Sequence, residues 1–156
     1  MRTVFWAMIA IFALLIAGPT AALTAGQAGA APKALDYEYF KTKVQPVFLE
    51  KRTGYTRCVV CHAGSGEGGG AGFLQRLSPG AAAWDEEQSR KNFAAVSRLV
   101  VPGQPMKSRL LTHPLEPTAG GDEFHNGGRQ FKSQDDPQFQ TLAAWVNGRT
   151  GGGSDR

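Results

Sequence analysis

The segment Cys58-Val59-Val60-Cys61-His62 constrains this chain more than any other feature, because it holds both cysteines and one of the three histidines of the 156 residues. Two cysteines cannot staple a disulfide-rich miniprotein. They can form a single disulfide, contribute half of a zinc site, or work as a redox pair. The zinc reading lacks a second Cys/His pair at tight spacing; the other histidines, His113 and His125, stand 12 residues apart. The redox reading lacks the βαβ pattern in which thioredoxin-like motifs sit.

The spacing is that of covalent c-type haem attachment. Two thiols three positions apart can add to the two vinyl groups on one edge of a porphyrin. The histidine next in the chain can then reach the iron from one face, and imidazole is an ordinary axial ligand of haem iron. Cys58, Cys61 and His62 are therefore the expected cofactor-binding residues for one haem c, with His62 as an iron ligand. For the opposite face the candidates are His125, His113 and Met106, or no protein ligand at all. His125 ranks first because it lies among Gly120, Gly121, Gly127 and Gly128, and glycine lets backbone approach a flat cofactor. His113 closes a short predicted helix before Pro114. Met106 reads more readily as a core filler.

The start of the chain fits export. Met1-Arg2 is a short positive stretch, and residues 4–17 then run without a charge. That suits the apolar region of a signal peptide and falls short of the ~20 residues a membrane span needs. Gly18 and Pro19 end the run, and cleavage is expected after Ala22 or Ala30. Residues 1–30 are thus read as signal peptide and spacer, residues 31–149 as the folded domain, and 150–156 as a disordered tail. The expected location is periplasmic or otherwise exported, with membrane attachment only if the signal stays uncleaved. Export agrees with haem, because c-type attachment takes place after translocation.

Within the domain the periodicity predicts an all-α fold with long glycine-rich loops. Asp36 can cap a helix whose apolar face is Tyr37, Phe40, Val44, Val47 and Phe48; Pro46 is expected to interrupt and bend it. A glycine-rich loop comes after the cysteines at 63–72. A second helix is predicted over 85–99, with Asp85, Glu86 and Glu87 in its first turn and Phe93, Val96 and Val100 on its apolar side. A short helix is expected over 105–112, carrying Met106, Leu110 and Leu111, and irregular chain over 114–133. The last helix should be capped by Asp135 or Asp136, start at Pro137, bury Phe139, Leu142, Trp145 and Val146, and stop at Gly148.

This layout resembles class I cytochrome c domains, in which a helix before the CxxCH packs across the C-terminal helix. More narrowly, Val44-Gln45-Pro46-Val47-Phe48, Pro102-Gly103-Gln104-Pro105-Met106-Lys107-Ser108-Arg109-Leu110-Leu111 and Trp145-Val146-Asn147-Gly148 look like the planctomycete-type cytochrome c domain. The resemblance covers about residues 36–148. It implies a small helical domain wrapped around one covalent haem, with Phe40–Phe48 and Phe139–Val146 as the crossing pair. In that family a Met followed by two prolines commonly precedes the last helix; here His125-Asn126-Gly127 stands there. The departure implies a bis-His haem, with a lower potential than Met/His ligation gives.

The expected function is therefore electron transfer by an exported monohaem c-type cytochrome, not an enzyme. No nucleophile–base constellation is recognisable, and Asp135-Asp136 reads as a helix cap. The alternative is a haem enzyme or a ligand-binding or sensor module whose distal ligand is displaceable or absent. Seventeen Lys+Arg against 13 Asp+Glu give a net charge of +4, which falls to +3 with the loss of Arg2. That balance, without a basic run, gives no support for nucleic-acid binding. Redox partner proteins are the expected partners. Lys41, Lys43, Lys51, Arg52 and Arg57 form either a solvated helix face or a docking patch for an acidic one.

Overall fold

A computed structural model describes residues 34–64 and 72–152. The chain groups into two units, Met1–Ala30 and Ala31–Arg156; the expected signal peptide lies outside the described residues. Those residues are helix-rich, and their only strand-like features are two isolated bridges, Ala63 with Leu74 and Leu115 with Phe131. No described helix is long and apolar enough to cross a membrane.

The first helix, α1, opens at Tyr37–Tyr39, continues as a π turn over Phe40–Val44 and closes over Gln45–Leu49. Asp36 caps it, its carboxylate accepting the Tyr39 N–H at 2.6 Å. The interruption expected at Pro46 does not occur. A proline cannot donate to the helix and its ring crowds the carbonyl four residues back. The wide turn just upstream, where Gln45 N–H bonds to the Phe40 carbonyl, absorbs that mismatch and lets the helix run on.

The CxxCH segment forms a single helical turn, α2 (Cys58–His62). Helix α3 spans Glu86–Ser97, and its start is a full capping box between Asp85 and Gln88. Val96 and Val100 are buried as expected, but so are Ser89 and Asn92. Ser89 accepts a hydrogen bond from Gln45 of α1 at 3.0 Å, and Asn92 accepts the Gln75 N–H at 2.7 Å. These polar contacts fix the irregular 72–85 segment, and α1, onto α3.

The single helix expected over 105–112 divides in two. Pro105–Lys107 is a 3₁₀ turn, and α4 (Arg109–Thr112) comes after it. Ser108 between them is fully buried. Its hydroxyl accepts from Val101 N–H and donates to the Gln104 carbonyl, each at 2.9 Å. A side chain that bonds nearby backbone in this way competes with helix continuation.

The last helix, α5, is Pro137–Val146, and Asp136 rather than Asp135 caps it. It ends in a Schellman motif: Gly148 adopts φ +81°, its N–H bonds Trp145 O, and Arg149 N–H bonds Ala144 O. Helix α5 packs on the π turn of α1. Trp145 lies 5.2 Å from Phe40 and 6.1 Å from Phe93 between ring centres, and Phe40 lies 5.4 Å from Phe93. Three helices thus share one aromatic cluster. The tail expected from residue 150 is pinned at Gly151, whose N–H bonds the Asp36 carboxylate at 3.0 Å; residues 153–156 lie outside the described residues.

Candidate functional site

Cys58, Cys61 and His62 all line one cavity of about 380 Å³, together with apolar side chains of α1, α4 and α5 such as Phe48, Leu110 and Leu142. Backbone bonds to the segment downstream hold α2 in place. The His62 carbonyl accepts from both Phe73 N–H (3.1 Å) and Leu74 N–H (2.9 Å), and Gly64 N–H returns a bond to Leu74 O. This brings the Phe73 ring to 4.5 Å from the His62 ring. Phe73 comes directly after the 63–72 glycine-rich stretch, of which 65–71 lie outside the described residues, and no periodicity in the sequence marks it as a neighbour of His62.

The two thiols are unbonded to one another. Burial pushes the Cys58 thiol up to about 11. Redox-active CxxC pairs work through a stabilised thiolate, so this environment runs against that use.

The opposite wall comes from the 114–133 loop, which two sets of backbone bonds hold in place. Glu116 N–H bonds Phe131 O and Gln130 N–H bonds Pro114 O, both at 2.9 Å. Asp122 N–H reaches Thr112 O at 2.9 Å, tying the loop to the end of α4. Gly121 makes that close approach possible: a Cβ there would stand 1.9 Å from the Leu115 carbonyl oxygen. Gly121→Ala should force the loop away and destabilise the protein by at least about 1–3 kcal/mol, as overpacking does. Thermal unfolding checks this, and an unchanged Tm would refute the packing described.

Arg52 secures the same loop from below. Its guanidinium pairs with Asp136, donates to the Gln130 carbonyl at 2.6 Å, and lies over the rings of Tyr55 and Phe131. Gln130 in turn donates to Thr56 O at 3.0 Å. Lys41 is likewise paired, with Glu86. Of the five basic residues that suggested a docking patch, Lys43, Lys51 and Arg57 stay exposed and outside the ion pairs formed among the described residues.

His125 sits in a turn closed by Gly128, whose N–H bonds His125 O at 3.0 Å and whose φ is +77°. The His125 Nδ1 bonds the Gly128 carbonyl. A carbonyl only accepts, so Nδ1 is the donor and Nε2 keeps its lone pair. Burial lowers the His125 pKa below the usual imidazole value, with His113 and Arg129 adding to the shift and the Gly128 bond opposing it. The neutral ring, its second nitrogen anchored to a carbonyl, is the form that ligates a metal.

The His62 and His125 rings both line the cavity and stack nearly parallel, ring centres 6.2 Å apart and planes inclined by 22°. Imidazoles bound to opposite sides of one metal ion, at ~2.0–2.1 Å per metal–nitrogen bond, have ring centres about 6 Å apart. His113 also lines the cavity. It stands edge-to-face with His125, 4.9 Å between centres and 83° between planes, and its Nδ1 meets Asp122 at 2.9 Å. Met106 is outside the cavity. It is 38% exposed and lines a separate groove with Gln104, Lys107 and Gln140; the core-filling reading does not hold for it.

Among the described residues, no three or more His, Cys, Asp or Glu side chains are grouped to hold a bare metal ion. Two imidazoles supply only two ligands. A metal between them needs its remaining positions filled by a ligand of its own, and the surrounding wall is mostly apolar. A porphyrin meets that requirement, and the donor set here fits it. No protein-family model matches the chain, and no curated protein or solved structure is significantly similar to it.

Proposed function

We propose that the chain is an exported monohaem c-type cytochrome of the class I type, that it transfers electrons, and that its haem iron is held by two histidines. The observation that carries this reading is the convergence of His62 and His125, ring centres 6.2 Å apart, on one largely apolar cavity that Cys58 and Cys61 also line. Cys58 and Cys61 would hold a haem by thioether bonds, and His62 and His125 would ligate its iron. When bound, haem supplies one-electron chemistry between ferric and ferrous iron. The residues of this chain do the rest. Phe48, Leu110 and Leu142 exclude water. Arg57 and Arg109 line the same cavity and offer positive charge to the two carboxylates that a haem carries. The Gly128 carbonyl orients His125, and Phe73 packs beside His62. The exposed Lys43 and Lys51 leave a modest basic surface for an acidic redox partner.

Expression with the export signal, alongside a c-type maturation system, tests the reading. The purified chain should carry one haem that acid–organic extraction does not remove, seen as a single haem mass added to the denatured polypeptide. Cys58→Ser/Cys61→Ser should release it completely. A polypeptide that matures without haem, or one that loses all haem on extraction, would overturn the proposal.

A further inference from the structure

His113 has no part in ligation by His62 and His125, yet it is one of three imidazoles at the cavity and is anchored at both its ring and its backbone. Its Nδ1 is bonded to Asp122 at 2.9 Å, and Asp122 is itself fixed by its N–H to Thr112 O. The His113 carbonyl accepts from Arg129 at 3.2 Å. Its ring then meets that of His125 at 4.9 Å and 83°. The bond from the His125 Nδ1 to the Gly128 carbonyl orients the same ring at its Nδ1 edge, and the His113 ring adds a second restraint on its plane.

We infer that His113, held by Asp122, is a positioning residue that fixes the plane of the His125 imidazole nearly parallel to that of His62. The inference rests on haem binding between His62 and His125. The consequence is electronic. An axial imidazole interacts through its π system with the iron d orbitals perpendicular to its own plane. Two parallel imidazoles raise the same orbital and separate the d levels, giving a rhombic low-spin ferric signal in electron paramagnetic resonance. Two perpendicular imidazoles leave those levels nearly equal, giving a signal dominated by one large g value. The 22° between His62 and His125 belongs to the first case. With His113 at 83° to His125, ligation by His113 in its present orientation would belong to the second.

The test is the ferric spectrum of the holoprotein and of His113→Ala, His113→Phe and Asp122→Asn, read together with the visible spectrum. The wild type should give a rhombic low-spin signal. His113→Ala should stay low-spin while its largest g value rises or its signal broadens into several, and Asp122→Asn should shift it in the same direction by less. His113→Phe, which keeps a ring against His125, should lie nearest the wild type. A merely structural role would leave the g values unmoved. Unchanged g values in His113→Ala and Asp122→Asn, beside a His125→Ala variant that turns high-spin, would overturn the positioning role alone. A wild-type signal with one large g value would overturn it as well. A low-spin spectrum lost in His113→Ala and kept in His125→Ala would make His113 the ligand, and would overturn the His125 assignment too. If His113→Ala takes up no haem, Asp122→Asn carries the same readout.

Discussion

Trp145→Ala is expected to lower stability by about 3–5 kcal/mol, the range for removing a buried aromatic side chain. Trp145 is fully buried, and its ring is packed against Phe40 of α1 and Phe93 of α3. Its indole N–H also donates to the Asp36 carbonyl at 2.9 Å. Asp36 is the cap of α1 and the anchor of Gly151, so one side chain ties both ends of the domain to its core. Trp145→Phe separates the two contributions. It keeps most of the ring contact and leaves the Asp36 carbonyl only its bond from Phe40 N–H, at 3.1 Å, so the lost indole bond should cost about 0.5–1.5 kcal/mol. Urea unfolding followed by circular dichroism measures both. A Trp145→Ala protein as stable as the parent would show that α1 and α5 do not depend on this cluster.

Much of this architecture is legible from local chemistry. Asp36, Asp85 and Asp136 cap the helices next to them because a short carboxylate satisfies the orphan N–H groups of a first turn. Pro137 and Gly148 bound the last helix for equally local reasons. The failures arise where a distant residue decides. Nothing near Pro46 announces the π turn that accommodates it. Ser108 splits a predicted helix because its hydroxyl finds Val101, seven residues back in the chain, at a buried site. Gly151 looks like free tail until Asp36, 115 residues earlier, takes its N–H. Ser89 and Asn92 are polar yet buried, so a search for apolar periodicity passes over them.

The candidate site divides the same way. The cysteines and His62 are singled out by their spacing, and the fold brings all three to one cavity. His125 is favoured by the glycines around it, and those glycines have definite tasks: Gly121 permits a close crossing and Gly128 closes the turn that orients the ring. What the sequence does not reveal is how the histidines are shared out. His113 and His125 are equal in composition and differ in geometry, since Asp122 engages one and the Gly128 carbonyl the other. Met106 loses its place among the candidates because the break at Ser108 separates its 3₁₀ turn from Leu110 and Leu111, the buried pair of that stretch.

His125→Ala should convert the holoprotein from low-spin to high-spin iron, which binds added imidazole or cyanide readily. The substitution leaves the fold nearly intact. His125 is only partly buried and its hydrogen-bond partner Gly128 is exposed, so water can replace the lost bond. The lost bond to Gly128 should therefore cost less than about 1 kcal/mol, while the spectrum changes completely. His125→Met is the complementary variant. Exchanging imidazole for a thioether raises the potential, and since axial ligands span roughly 0.8 V across haem proteins, a rise on the order of 0.1 V is expected. Redox titration of parent and variant side by side checks it. A His125→Ala protein that stays low-spin with a rhombic signal would remove His125 from the iron; low-spin iron with one large g value would instead mean that His113, 4.9 Å away, ligates with its plane unturned. Those two spectra differ because the two rings stand almost at right angles, so the orientation of the neighbouring imidazole reports which histidine holds the metal.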